Sequence, residues 1–203
     1  MIKAFLFDYD GVISHGVDIN LPAKRLAHNI DITEAKATEL IKSIWDDYST
    51  GRSSSDEVWK SIENQLATKI PNEKRDIWHT WDELQPLPYM LDFVQELKSK
   101  GYPVGLLSNV FKETAEIIRE NGGYDRFDFT ILSCEVGARK PEREVYSVAM
   151  KKLANIQPTE VLFLDDREHC ITGAQEFGFQ TIHVTNQKKA IEQVGKLIST
   201  TAA

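Results

Sequence analysis

Two acidic residues, Asp8 and Asp10, follow directly on a short apolar run, residues 4–7. Carboxylates held this close repel each other, which raises the pKa of one of them unless a cation neutralises the pair. The pattern therefore indicates a metal site, an acid/base pair, or both. Gly11, which comes next, lets the backbone turn sharply and approach a ligand. Taken alone, the same residues are also compatible with a plain acidic turn.

A second acidic pair, Asp165 and Asp166, ends the apolar run 161–164. Oxygen ligands suit Mg²⁺, which usually keeps several waters and takes one or two carboxylates together with substrate oxygens. Together with Asp8, this pair would supply part of an octahedral Mg²⁺ site. The alternative is that Asp166 only caps the helix that follows.

Two further polar elements lie between the acidic pairs. Ser108 and Asn109 end the run 104–107, where a hydroxyl can bind a phosphoryl oxygen or either residue can cap a helix. Lys140 precedes Pro141, which restricts the lysine to an extended conformation and so aims its ammonium group. A lysine held in this way can neutralise an aspartate and a bound phosphoryl group, whereas the alternative is a solvated surface lysine.

The four polar elements belong to a pattern of apolar runs that alternate with helical stretches. Runs 4–7, 104–107 and 161–164 are the clearest, and runs 129–132 and 181–184 are weaker. Short strands that are apolar on both faces and alternate with helices predict a doubly wound, Rossmann-like α/β fold around a parallel sheet. Ligands bind such sheets at the carboxyl ends of the strands. We therefore expect the four elements to meet.

Residues 15–87 interrupt this alternation with long amphipathic stretches that predict a helical insert. Gly51 to Ser54 separates two of its helices, with Ser54 or Ser55 as a helix cap, and Pro86 to Pro88 marks the return to the main domain. The four tryptophans of this segment are expected to pack in a core. The predicted domains are a core domain, 1–14 and 88–203, and a helical domain, 15–87.

Composition narrows the class of partner. The 203 residues are 41% hydrophobic, which is enough for a buried core, and carry a formal net charge of -7. That charge and the lack of a Lys/Arg cluster argue against nucleic-acid binding. A small phosphorylated ligand remains compatible, because a few local groups hold it.

Cellular location is predicted from the cysteines and the start of the chain. Cys134 and Cys170 show no spacing typical of a metal or redox pair, which favours a reducing compartment. The sequence shows no charged leader and no apolar run of roughly 18 residues, so we expect a cytoplasmic protein without a membrane segment. A monomer or weak homodimer is expected for this size.

In this order, the four elements resemble the motifs of the haloacid dehalogenase-like (HAD) hydrolase superfamily. The matching stretches are Asp8-Tyr9-Asp10-Gly11-Val12, Leu107-Ser108-Asn109, Arg139-Lys140-Pro141-Glu142 and Leu164-Asp165-Asp166-Arg167. The resemblance covers essentially the whole chain and is greatest to small bacterial sugar-phosphate phosphatases and the N-terminal domain of soluble epoxide hydrolases. It implies the HAD-like fold, with residues 15–87 as a helical cap that closes over the site.

The resemblance implies a Mg²⁺-dependent phosphatase that hydrolyses a small phosphomonoester, such as a sugar phosphate, through an aspartyl-phosphate. Asp8 would be the nucleophile, and Asp10 would protonate the leaving oxygen and then activate water. Ser108, Asn109 and Lys140 would bind the phosphoryl group.

The same resemblance implies a metal site. Mg²⁺ would be held by the Asp8 carboxylate, the Asp10 backbone carbonyl and Asp166, with Asp165 in a supporting or water-mediated role. Where similar phosphatases commonly carry Asn, this chain has Cys170, so one local hydrogen bond is expected to differ.

Three alternatives stay open. A dehalogenase on the same fold also attacks with an aspartate, but without a metal; Asp10 and the pair Asp165 and Asp166 argue against it, because carboxylates without a cation would repel. A phosphomutase shares the motifs and would differ in its cap. A non-catalytic protein that binds a phosphometabolite would commonly lack the nucleophile or the metal acid.

Overall fold

The computed structural model describes residues 1–199 and is built around a parallel sheet of five strands. The strands lie in the order β3-β2-β1-β4-β5. Their bounds are β1 Ala4–Phe7, β2 Val104–Ser108, β3 Phe129–Leu132, β4 Val161–Asp165 and β5 Gln180–His183. Each coincides with a predicted run to within one residue. The predicted fold class, a doubly wound α/β fold, is confirmed.

Strand order and register bring the predicted motifs together. The chain adds β2 and β3 on one side of β1 and then crosses to add β4 and β5 on the other. Phe7 pairs with Leu106 of β2 and with Leu164 of β4, so Asp8 lies beside Asp165. The reversal of strand order between β1 and β4 is the place where open α/β sheets form their ligand crevice.

Helices cover both faces of the sheet. They are α5 Pro88–Ser99, α6 Lys112–Glu120, α7 Ser133–Val136, α8 Arg143–Lys152, α9 Glu168–Phe177 and α10 Gln187–Ser199. Successive strand side chains point to opposite faces. Phe5 and Phe7 therefore pack in one core with α5, α6 and α10, whereas Leu6 packs in a second core with α8 and α9.

Four further helices lie between β1 and α5: α1 Leu21–Ile30, α2 Glu34–Ser49, α3 Ser55–Leu66 and α4 Trp81–Leu84. Helix α3 begins with a capping box in which Ser54 and Glu57 bond reciprocally, so Ser54 rather than Ser55 is the cap. Trp45, Trp59 and Trp78 pack in a hydrophobic core of this insert. Trp81 differs, because it packs against the core of the sheet.

The insert leaves and rejoins the sheet through two adjacent segments. Ser14 and Pro86 form an antiparallel bridge, and the Leu87 amide donates to the Ile13 carbonyl at 2.8 Å. This pairing holds the start and end of the insert together at the carboxyl edge of the sheet. Among residues 1–199, no helix is both long and apolar enough to cross a membrane.

Candidate active site

A single wide turn, Tyr9–Ile13, follows β1 and is closed by a hydrogen bond from the Ser14 amide to the Tyr9 carbonyl. Gly11 reverses the chain with a φ of 74°, a conformation that side chains rarely adopt. A Cβ at Gly11 would lie 2.5 Å from Asp166 Oδ2. Glycine is therefore needed both for the turn and for the close approach of Asp166.

Lys140 bridges the two predicted acidic motifs. Its Nζ lies 2.8 Å from Asp8 Oδ1 and 2.6 Å from Asp165 Oδ2, and the three side chains are buried. Asn109 holds the lysine backbone: its Nδ2 donates to the Lys140 carbonyl at 2.9 Å, and its Oδ1 accepts from the Lys140 amide at 2.8 Å. Asn109, predicted to bind substrate, thus uses both ends of its amide to position Lys140.

Burial sets the protonation of this group. It raises the pKa of Asp8 to about 7; the Lys140 ammonium lowers that value and the Asp165 carboxylate raises it further. For Lys140, burial acts to lower the pKa, but the adjacent Asp165 and Asp8 carboxylates outweigh it and raise the pKa above its ordinary value. The lysine is therefore a permanent cation beside an aspartate whose ionisation depends on its surroundings.

Asp10 lies within the turn after β1, and both of its carboxylate oxygens have partners. Its Oδ1 accepts from the Val17 amide at 2.8 Å and from Ser14 Oγ at 3.4 Å, while Arg167 lies 3.6 Å from Oδ2. Burial raises the pKa of Asp10, although the Arg167 charge opposes this. A carboxyl group with a raised pKa is suited to donate a proton in one step and accept one in another.

The carboxylates of Asp8, Asp165 and Asp166 form a group that can hold a metal ion, with ligand atoms within 4.8 Å of one another. Asp165 is already engaged, because its Oδ1 accepts from the Arg167 amide at 2.8 Å and its Oδ2 binds Lys140. Asp166 Oδ1, in contrast, is buried without a hydrogen-bond partner, and burial raises the pKa of Asp166. A buried, unpartnered carboxylate oxygen beside Asp8 fits Mg²⁺, which prefers such ligands.

Mg²⁺ is expected to stabilise the protein in a pH-dependent way. At a free Mg²⁺ concentration of about 100 times the dissociation constant, Mg²⁺ binding would raise the free energy of unfolding by about 2.7 kcal/mol. The gain should shrink as the pH falls through about 7, because Asp8 then takes up a proton that competes with the metal. Without metal the sign is opposite: the folded chain holds the Asp8 proton more tightly than the unfolded chain, so stability falls as the pH rises toward 7.

Thermal unfolding with and without Mg²⁺ between pH 5 and 8 measures this effect. Asp166→Asn should abolish the Mg²⁺-induced shift, whereas Asp125→Asn, at an exposed position, should retain it. An equal shift at pH 5 and pH 8, or one that survives Asp166→Asn, would contradict the assignment of the metal site.

Asp8 and Asp10 line a cavity of about 360 Å³ to which Ser108, at the end of β2, also contributes. The insert closes part of this cavity with Val17, Ile19, Trp45 and His79. The sequence patterns did not identify these residues, because neither the loops nor the helices of the insert carry a local signal for the side chains that face a neighbouring part of the chain. The site thus lies between the sheet edge and the insert.

Arg167 was not among the predicted site residues, although its position directly after the second acidic pair was a usable signal. Its side chain lies beside Asp10, and the Asp8, Asp10 and Asp166 carboxylates raise its pKa against the opposing effect of burial. Cys170 also lines the cavity, and burial raises the pKa of its thiol to about 12. The thiol is therefore neutral.

Known proteins with similar sequences include two phosphatases. A sesquiterpene phosphatase from Aspergillus oryzae is 24% identical over 200 residues, which cover 97% of this chain and 96% of its own. A glyceraldehyde 3-phosphate phosphatase from Methanocaldococcus jannaschii is 28% identical and covers 93% and 87%. An (S)-2-haloacid dehalogenase from a Pseudomonas species is 26% identical and covers 94% and 88%.

Among solved structures, the chain is similar to a HAD family enzyme from Bacteroides thetaiotaomicron in complex with magnesium and inorganic phosphate. That protein is 27% identical, with a TM-score of 0.71, and the match covers 90% of this chain and 93% of that one. The model of the haloacid dehalogenase-like hydrolase family matches residues 2–178. The chain therefore belongs to the haloacid dehalogenase-like hydrolases, which confirms the resemblance drawn from its four motifs.

Proposed function

We propose that this hydrolase is a Mg²⁺-dependent phosphatase acting on a small phosphomonoester through an aspartyl-phosphate. The observation that carries the proposal is the juxtaposition of buried Asp8, bound to a buried ammonium group, with Asp166, which has an unpartnered carboxylate oxygen. Transfer of a phosphoryl dianion needs a nucleophile, a cation and a carboxylate oxygen that can bind a metal ion, and all three lie at one edge of the sheet. The phosphatases among the similar proteins, and the related structure with magnesium and phosphate, support the same chemistry.

The first step forms a bond between an Asp8 carboxylate oxygen and phosphorus while the bond from phosphorus to the ester oxygen breaks. Asp10 gives its proton to that leaving oxygen, and Lys140 and Ser108 hold the phosphoryl group. When bound by Asp8, the Asp10 carbonyl and Asp166, Mg²⁺ supplies the charge that offsets the phosphoryl oxygens.

In the second step, Asp10 removes a proton from water, which attacks phosphorus. Inorganic phosphate leaves, and Asp8 returns to its carboxylate form. One residue thus serves as acid and then as base, consistent with the raised pKa of Asp10, caused by burial.

A dehalogenase is the main competing function, since one is among the similar proteins. Dehalogenases of this fold use the nucleophile without a metal. In this chain Asp166 Oδ1 would then stay buried without a partner beside Asp8 and Asp165, at an electrostatic cost that the Lys140 and Arg167 charges offset only in part, because the pKa of Asp166 remains raised. The phosphatase is therefore favoured, and a phosphomutase remains the second candidate because it shares the motifs.

The insert, residues 15–87, is proposed to act as the cap that selects the substrate and excludes water. Three features support this role: its own hydrophobic core, which Phe111 of the main domain joins, its side chains in the cavity wall and the ion pair between Asp46 of α2 and Arg139, at 2.6 Å. The domain boundaries, the cytoplasmic location, the lack of nucleic-acid binding and the monomer or weak homodimer state stay predictions.

Turnover of p-nitrophenyl phosphate and of 2-chloropropionate, each with and without Mg²⁺, tests the proposal. We expect phosphate release that depends on Mg²⁺ and stops with EDTA, and no chloride release. Chloride release without metal would instead establish the dehalogenase. A protein inert on every phosphoester tried would favour a non-catalytic binding protein.

A further inference from the structure

The cavity wall has two chemically different parts. The ends of the strands contribute charged and polar groups, among them Asp8, Asp10 and Lys140. The insert and the region from β2 to α6 contribute seven apolar side chains: Val17, Ile19, Trp45, Leu84, Val110, Phe111 and Ile118. Since the phosphoryl group must lie against Asp8, the apolar part of the wall surrounds the organic part of the ester.

Most polar side chains near the apolar wall already have partners. Arg139 binds Asp46 at 2.6 Å, and the Ser49 hydroxyl donates to the Asp46 carbonyl at 3.4 Å. His79 Nε2 lies 3.3 Å from the Asp18 carbonyl. These contacts reduce the number of donors and acceptors left for the hydroxyls of a sugar, which would exchange water for fewer hydrogen bonds at a cost in free energy.

Thr114 is the exception. Its Oγ1 is buried, lines the cavity and has no hydrogen-bond partner. One hydroxyl can form a hydrogen bond with one oxygen of a ligand, whereas a hexose phosphate presents several hydroxyl groups.

Ile19 gives independent support. It is 44% exposed, one of three large apolar side chains exposed to this degree among residues 1–199, and it lies at the cavity wall. Exposed apolar groups beside a cavity are typical of sites that receive an apolar ligand. An ester with an apolar chain would cover Ile19 when bound.

On this basis, and resting on the proposed function, we propose that the substrate is a phosphomonoester of an apolar alcohol, with an alkyl, isoprenoid or aryl group. This replaces the expectation of a sugar phosphate, which rests on the resemblance alone. Specificity then comes from burial of hydrocarbon rather than from hydrogen bonds to the leaving group.

A series of straight-chain alkyl phosphates from ethyl to octyl tests the inference. We expect kcat/KM to rise about fourfold with each added methylene group, the effect of burying one such group, until the cavity is filled. Hexyl phosphate should also exceed glucose 6-phosphate, which has the same number of carbons. A flat series, or a preference for glucose 6-phosphate, would overturn this inference while leaving the phosphatase intact. Inactivity on every ester would overturn both proposals.

Ile19→Ser should reduce the rise of kcat/KM with chain length, because the variant removes apolar surface that a longer chain would cover. The position is exposed, so folding should be retained, and the thermal unfolding midpoint checks this. Leu197→Ser is the matched control, since Leu197 is 40% exposed and lies in α10. An unchanged slope for Ile19→Ser, or an equal reduction in the control, would contradict the inference.

Discussion

Replacing Asp8 by Asn is expected to abolish phosphoester hydrolysis, with a loss of about 10⁴-fold or more in kcat. The amide cannot form the aspartyl-phosphate, and both chemical steps depend on that intermediate. The fold should survive, because Lys140 keeps its ion pair with Asp165 at 2.6 Å. Without metal, the variant should be at least as stable as the parent at pH 8, since burial disfavours the charged form of Asp8.

Steady-state kinetics and thermal unfolding with and without Mg²⁺ measure both effects. Asp8→Ala is a second variant, because an Asn at position 8 can deamidate to Asp and restore activity. Asp125→Asn, at an exposed site, is the control and should keep full activity. Asp8→Asn should also lose the stabilisation by Mg²⁺, because Asp8 is a proposed metal ligand. Activity within tenfold of the parent in both Asp8 variants would rule out the nucleophile.

Replacing Lys140 by Met is expected to reduce the free energy of unfolding by about 3–5 kcal/mol, the cost of leaving buried charges unpaired. Lys140 contacts both Asp8 and Asp165, and its side chain is only 1% exposed. The loss should be greatest at high pH. Burial has already raised the pKa of Asp8, and removing the lysine raises it further. As the pH falls below that pKa, Asp8 takes up a proton and its repulsion with Asp165 disappears.

Chemical denaturation at pH 6 and pH 8 separates this charge effect from a packing defect, which would not vary with pH. Lys112→Met provides the control, since it breaks an exposed ion pair with Glu116 at 3.8 Å and should cost less than about 0.5 kcal/mol. Turnover should fall about 10²–10³-fold in Lys140→Met, because a positioned cation is lost from the transition state. A stability loss equal at both pH values would mean that Lys140 acts through packing.

Some predictions from sequence depended on contacts that only packing decides. Asn109 was predicted to bind substrate, but its amide bonds the backbone of Lys140 in a neighbouring loop. Arg167 received no predicted role, yet its side chain lies beside Asp10. In both cases the partner is distant in sequence, and a local motif carries no information about which of several nearby groups a flexible polar side chain will reach.

The sequence by itself determined the strands, the fold class and the position of the four motifs at one sheet edge. These follow from local periodicity, because apolar runs that alternate with helices can bury both faces only in a parallel sheet. Tertiary structure alone decided which partner each acid contacts. With the register of β1 against β4, Asp165 contacts Lys140, whereas one carboxylate oxygen of Asp166 has no hydrogen-bond partner. Local sequence cannot specify these contacts, because they depend on how elements distant in the chain pack together.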